Sequence, residues 1–317
     1  MSLKRVIICV IVMCSSFLSS CSSSDASSEN VVDTPKENET PDEGEAADAP
    51  PKLWREHWFE HNQLVTRVYY DDDLALYYDN DVDRTIEWPK TILSDVWEYI
   101  KSVYGNFGED PRLYAILHTG RYSGGHPSVY MDASHDYRNV VDCGPYSWRQ
   151  ALPQEGLNLI IHEVGHIVEG STNGIKNNPA WDIWKDSKWA EIFIYDVYKG
   201  IGKDSFAQQF HDEMLNQYDD FPRPDTQWFK DWFYPVYTQY GESKVLNNFY
   251  DLLAEHFPKN NQGTAFSRRM DMGEFVHFWS GAAGEDLQPL AKEAFGWPTE
   301  WENQLTKAKE TFPQIQY

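Results

Sequence analysis

Cysteine is scarce in this chain: 317 residues carry four, at positions 9, 14, 21 and 143. Cys143 has no Cys or His nearby at ligand spacing, which excludes a cysteine-rich zinc module and a dense disulfide scaffold. Positive charge is also in short supply. Lys and Arg number 27 against 50 Asp and Glu, for a formal charge of −23. Residues 22–52 account for −7 of this and residues 53–317 for −18. Such an acidic body excludes nucleic acid or an anionic membrane surface as partner, and suits an extracytoplasmic protein or basic peptide substrates. The apolar stretch Val6–Met13 falls well short of a membrane span, which needs about 20 residues. No internal repeat recurs at a fixed period, so a solenoid is excluded.

The first 21 residues follow a different plan. Lys4 and Arg5 make a positive start, Val6–Met13 an apolar core, and small residues follow, as in a secretory signal. The ending Leu18-Ser19-Ser20-Cys21 resembles the lipobox of bacterial lipoproteins. That resemblance implies cleavage before Cys21 and acylation of its sulfur. The protein would then sit at the cell envelope, on the outer membrane or cell surface, touching lipid only through its anchor. Cys9 and Cys14 would leave with the signal, so no disulfide can form within one mature chain, and Cys143 reads as structural. Residues 22–52 are rich in Ser, Asp, Glu, Ala and Pro, with almost no large apolar side chains. They cannot bury enough surface to offset ordering entropy, and so read as a disordered tether.

The domain proper is expected over 53–317. Residues 64–70 and 74–79, rich in branched and aromatic side chains, read as strands, and 112–118 as a buried one. Residues 87–104 show helical spacing through Ile92, Val96, Tyr99, Ile100 and Val103, with Pro89 early. A short strand is expected at 128–131, and 132–152 carries no clear pattern. Beyond the motif described next, helices are expected at 187–199, 204–218, 226–240, 242–257, 271–282, 286–295 and 299–310. Gly and Pro breaks separate most of them. The class is therefore α+β: a strand-rich mixed part over 53–170, a central helix, and a helical part over 171–317.

The organising stretch is residues 157–170, which contain His162-Glu163-Val164-Gly165-His166. At 3.6 residues per turn the two imidazoles lie one turn apart on one face and can converge on a single metal ion, with Glu163 beside them. Leu157, Leu159, Ile160, Ile161, Ile167 and Val168 suit a helix buried on most sides. A catalytic zinc wants a third protein ligand and one open position. Glu169 shares the motif helix and the face of His162. Glu191 lies on the next expected helix, which can pack beside the first. The residues alone leave both open.

His-Glu-x-x-His followed by a second helix bearing glutamate resembles the gluzincin group of zinc metallopeptidases. Trp189-Ala190-Glu191-Ile192-Phe193 is similar in character to the aromatic-then-glutamate stretch of that group. The resemblance covers roughly 155–198. It implies a zincin-like fold, His162, His166 and Glu191 around one Zn2+, and Glu163 as the catalytic carboxylate. The group often has an aspartate one turn past the glutamate; here that place holds Tyr195, and Asp182 or Asp186 could orient a ligand instead.

The expectation is thus a lipid-anchored, monomeric zinc metallopeptidase hydrolysing peptide bonds of extracellular proteins or glycoproteins through a zinc-activated water. Tyr237, Tyr240, Tyr250, His256 and His277 are all eligible to stabilise an oxyanion, and no spacing selects among them. The alternative is a non-catalytic surface lipoprotein that binds glycan or peptide on a similar fold. The 13 Trp and 19 Tyr invite that reading, but Trp228, Trp232 and Phe233 lie at core spacing on one helix. The complete motif favours catalysis, because Glu163 would be the first residue a degenerate site could lose.

Overall fold

The computed structural model describes residues 45–317, apart from Pro145. The expected signal, Cys21 and most of the expected tether lie outside the described residues. The tether's last residues are not loose: Arg112 donates to Asp48 at 2.7 Å, Tyr77 donates to the Pro51 carbonyl at 2.7 Å, and Arg67 bonds the Pro50 carbonyl.

The chain is a mixed α+β fold. Strands β1 (Leu53–Arg55), β2 (Leu64–Tyr70) and β3 (Leu74–Tyr78) form an antiparallel meander. Helix α1 (Trp88–Tyr104) then crosses to β4 (Leu113–Leu117), parallel to β3. β5 (Gly125–Ser128) turns back as the outer strand, and β6 (Asn139–Cys143) inserts between β4 and β5. The order is β1-β2-β3-β4-β6-β5. β3, β4 and β6 are buried throughout, as parallel strands covered on both faces must be.

Period-two alternation divides the sheet's side chains between two cores. Leu74, Leu76, Leu113, Ala115, Val141 and Cys143 belong to the large core under the helices. Ala75, Tyr77, Tyr114, Ile116 and Val140 face a smaller one closed by Trp54, Trp58 and Val65. Helix α1 meets the large core with Ile92, Leu93, Val96, Trp97 and Ile100. Pro89 fits its first turn, and the chain leaves it through Gly105 at φ 85°.

Helix α2 (Gln154–Ser171) carries the motif and lies beside β5 and β6. Past it come the one-turn α3 (Trp181–Trp184), then α4 (Lys188–Gly200) and α5 (Asp204–Met214). A π-helical turn at Phe229–Phe233 runs into α6 (Tyr234–Gln239). α7 (Ser243–His256), α8 (Met272–Ala283), α9 (Gln288–Phe295) and α10 (Thr299–Thr311) complete the helical part. α8 starts on a capping box in which Asp271 and Glu274 satisfy each other's backbone N–H.

These elements follow the expected ones within a few residues. The differences are β1 and the one-turn α3, which no local pattern announced, and the region around the Gly-rich turn. The strand expected at 128–131 is centred earlier, at Gly125–Ser128, and the unassigned stretch holds β6. Both are short and take their pairing from neighbours distant in sequence, so little local pattern marks them. Trp228, Trp232 and Phe233 are core, each 2% exposed or less. Among the described residues no helix is long and apolar enough to cross a membrane.

Candidate metal centre on helix α2

Packing fixes α2 along its length. Leu157, Ile160, Ile161, Val164, Ile167 and Val168 are fully buried in the large core. The small residue inside the motif has a steric reason: a Cβ on Gly165 would stand 3.1 Å from Phe193 and 3.6 Å from Trp189. Helix α4 therefore lies against α2 through its aromatic face, as close as a glycine allows.

The two histidines converge as their spacing dictates. Their Nε2 atoms are 3.0 Å apart, and the rings meet edge to face. Asp186, in the link between α3 and α4, brings its carboxylate to both. One oxygen lies 3.3 Å from Nε2 of His166 and the other 3.6 Å from Nε2 of His162. The donors are thus two imidazole nitrogens and a carboxylate, a set suited to zinc, with the Asp186 side chain 70% exposed. The side toward solvent is open.

Behind this trio, Nδ1 of His166 lies 2.7 Å from Oε2 of Glu169. Glu169 is 5% exposed, and its other oxygen is approached by the Asn178 amide at 3.4 Å. Burial alone would lower the His166 pKa; the carboxylates of Asp186 and Glu169 outweigh it and push it up to about 10. The adjacent His162 and His166 imidazoles in turn hold the Asp186 carboxyl far below the usual carboxylate range.

Glu163 is 5% exposed and points toward β5. Burial raises its carboxyl above the usual value, a shift that the two motif histidines oppose and Asp186 and Asp142 reinforce. The room it occupies exists because residue 125 is glycine. A Cβ there would stand 2.5 Å from Cγ of Glu163 and 2.6 Å from Oε1.

Glu191 lies elsewhere. It sits on α4, as expected, and α4 does pack beside α2. But α4 turns Trp189 and Phe193 toward the motif, and Glu191 is two residues from each, about 200° around the helix from Trp189. It is not among the groups that gather at the histidines. The charges that bear on it are Lys188 and Asp219, and burial raises its carboxyl to about 8. Asp186 stands where the expected glutamate does not reach, and Glu169 orients His166. Asp182 instead faces Lys185 and Arg269, each at 3.6 Å. Of the oxyanion candidates, Tyr237 donates to Asp196 at 2.9 Å, and the His277 ring lies between the Tyr317 hydroxyl and the Phe312 carbonyl.

No family model and no curated protein matches the chain. Among solved structures, it is similar to the M1 zinc metallopeptidase of Deinococcus radiodurans and to a mutant of that enzyme. Both show a TM-score of 0.30 and 10% identity over 81% of this chain and 50% of theirs. The chain thus spans about half the length of the structures it matches.

Proposed function

We propose that this protein is a zinc-dependent peptidase of zincin-like architecture, with the ion held by His162, His166 and Asp186 and with Glu163 as general base. One observation carries the reading. Two imidazole nitrogens 3.0 Å apart and a carboxylate within 3.6 Å of both open toward solvent, with a buried glutamate beside them.

A zinc ion there would supply a Lewis acid for the scissile carbonyl. The rest falls to the chain's own residues. Glu163 takes a proton from the attacking water and delivers it to the leaving nitrogen; its burial raises its proton affinity above that of an ordinary carboxylate, which favours the uptake. Glu169 keeps the His166 ring turned with Nε2 toward the site. β5 lies at the end of the sheet, half exposed, with Gly125 against Glu163. An extended peptide adding to this edge would bring its carbonyl past that carboxylate. Substrates would be extracellular proteins or glycoproteins, met by a monomer held at the cell envelope through lipid on Cys21.

The decisive comparison is wild type against Glu163→Gln, both loaded with zinc, on a diverse peptide and glycopeptide library. The variant keeps its volume and its zinc but cannot accept the proton. Hydrolysis should fall by about 10²–10⁴-fold. A zinc-loaded wild type that cleaves nothing, or two forms that cleave equally, would overturn the assignment.

A further inference from the structure

Five of the ten histidines lie away from the motif, in the region of the small core: His57, His61, His118, His126 and His135. Two of them meet two acids. Glu56, His61, His118 and Asp142 each bring a nitrogen or carboxylate oxygen within 4.8 Å of the others, and none is more than 7% exposed. Asp142, on β6, points to the same face as Val140, away from the large core in which Val141 and Cys143 sit. His118 immediately follows β4, and Glu56 immediately follows β1.

The hydrogen bonds around the cluster leave one position in common. Oε2 of Glu56 accepts from the Gln63 backbone at 3.0 Å. Oδ2 of Asp142 accepts from Trp58 Nε1 at 3.0 Å and meets Nδ1 of His61 at 2.7 Å. Nδ1 of His118 is taken by Asp79 at 3.0 Å, and Arg121 Nε lies 2.8 Å from that same carboxylate oxygen. What remains is Oε1 of Glu56, Oδ1 of Asp142 and Nε2 of His118, all three buried and all three without a hydrogen-bond partner. They nevertheless crowd together, with His118 Nε2 2.7 Å from the Glu56 oxygen and 3.0 Å from the Asp142 oxygen. The imidazole N–H is aligned with neither oxygen, so neither contact is a formed hydrogen bond. A buried polar atom without a partner is destabilising, and three that converge call for a common partner.

We propose that this partner is a second divalent metal ion, bound by Glu56, His61, His118 and Asp142 as a structural site. Zinc–nitrogen and zinc–oxygen bonds of about 2.0–2.2 Å give donor–donor edges near 3.3 Å in a tetrahedron, so the two edges at His118 Nε2, 2.7 and 3.0 Å, need open by about half an ångström or less, and the remaining donors lie within 4.8 Å of one another. Two imidazoles with two carboxylates select zinc or a similar transition ion over calcium or magnesium, which take six or more oxygens. Four protein donors close the shell, unlike the open motif site. The carboxylate behind His118 Nδ1 is the outer support that metal-binding histidines use. The ion would tie the segment carrying Glu56 and His61 to the ends of β4 and β6, pinning the layer that closes the small core.

The test uses the full chain carrying His162→Ala and His166→Ala, which removes the motif site. Stripped with chelator and re-equilibrated with zinc alone, it should bind one equivalent per chain and melt at higher temperature than its stripped form. No bound zinc overturns the proposal. Adding His118→Asn should abolish that equivalent, and its retention would equally overturn the proposal. Should the triple variant fail to fold, cobalt(II) titration of the double variant decides: the intense d–d bands of a four-coordinate ion support the site, and a weak six-coordinate spectrum refutes it. A wild type that binds one equivalent, kept in full by the double variant, would strike the motif site while leaving this one standing.

Discussion

Glu169 holds His166 from behind: its Oε2 lies 2.7 Å from the ring Nδ1, one turn further along the same helix. That contact fixes the ring plane and turns Nε2 toward His162 and Asp186. Glu169→Ala should therefore leave the fold intact and weaken zinc binding at the motif by about 10–100-fold. Competition against a chromophoric chelator measures it, and unchanged affinity would mean that packing alone orients the ring.

Asp186 and Glu191 make opposite predictions. Asp186→Ala removes an anionic donor from the histidine pair and should empty the motif site at stoichiometric zinc. Glu191→Ala should keep its zinc, because α4 turns that side chain away. Metal analysis of the two purified variants compares them directly; loss in Glu191→Ala with retention in Asp186→Ala would return Glu191 to the first coordination shell.

The stability of the protein should carry a pH signature from Glu191. Burial raises its carboxyl to about 8 in the folded state, against 4.5 as the ordinary value. Between these values the folded chain holds a proton that the unfolded chain has lost. Stability therefore falls as pH rises through this window. Glu191→Gln lacks that dependence. Denaturant unfolding should find the variant close to wild type near pH 5 and more stable at pH 8, by roughly 4 kcal/mol. A constant difference across the range would show that the carboxyl is charged throughout.

Gly125→Ala probes the support of the proposed general base. The added Cβ would stand 2.5 Å from the Glu163 side chain, inside any tolerated contact, so Glu163 must move. Zinc content should hold while hydrolysis drops about 10²-fold, the usual consequence of displacing a catalytic group by about an ångström. Full activity in this variant would show that Glu163 does not work from the position it occupies here.

The anchor can be tested without the fold. Cys21→Ser removes the sulfur that would be acylated. The protein should move from the membrane fraction to the soluble fraction, with its melting temperature unchanged. Unaltered partitioning would dismiss the lipobox reading.

Most of the architecture was legible because its elements announce themselves locally. Helix α1 repeats apolar residues every three to four positions, and β3 and β4 are short continuous apolar runs between turn residues. His162 and His166 had to converge wherever a helix formed, since four residues of helix is one turn. β5 and β6 left little trace. They pair across the ten residues 129–138, and β6 is fixed by register with β4 on one side and β5 on the other rather than by propensity.

The sequence by itself determined the pair of histidines, the glutamate between them and the helix on which they stand, because all three depend on one local period. It also placed Asp186 and Glu191 close by in the chain. Which of those two acids comes near the histidines is visible only in the tertiary structure, because it turns on which face of α4 meets Gly165, where Trp189 and Phe193 pack. The second cluster lay wholly beyond local reading. Glu56, His61, His118 and Asp142 are spread over three segments with no spacing in common. They meet because parallel β4 and β6 end side by side and the segment after β1 folds across that end. Pairing across a sheet brings together residues that no window of sequence contains.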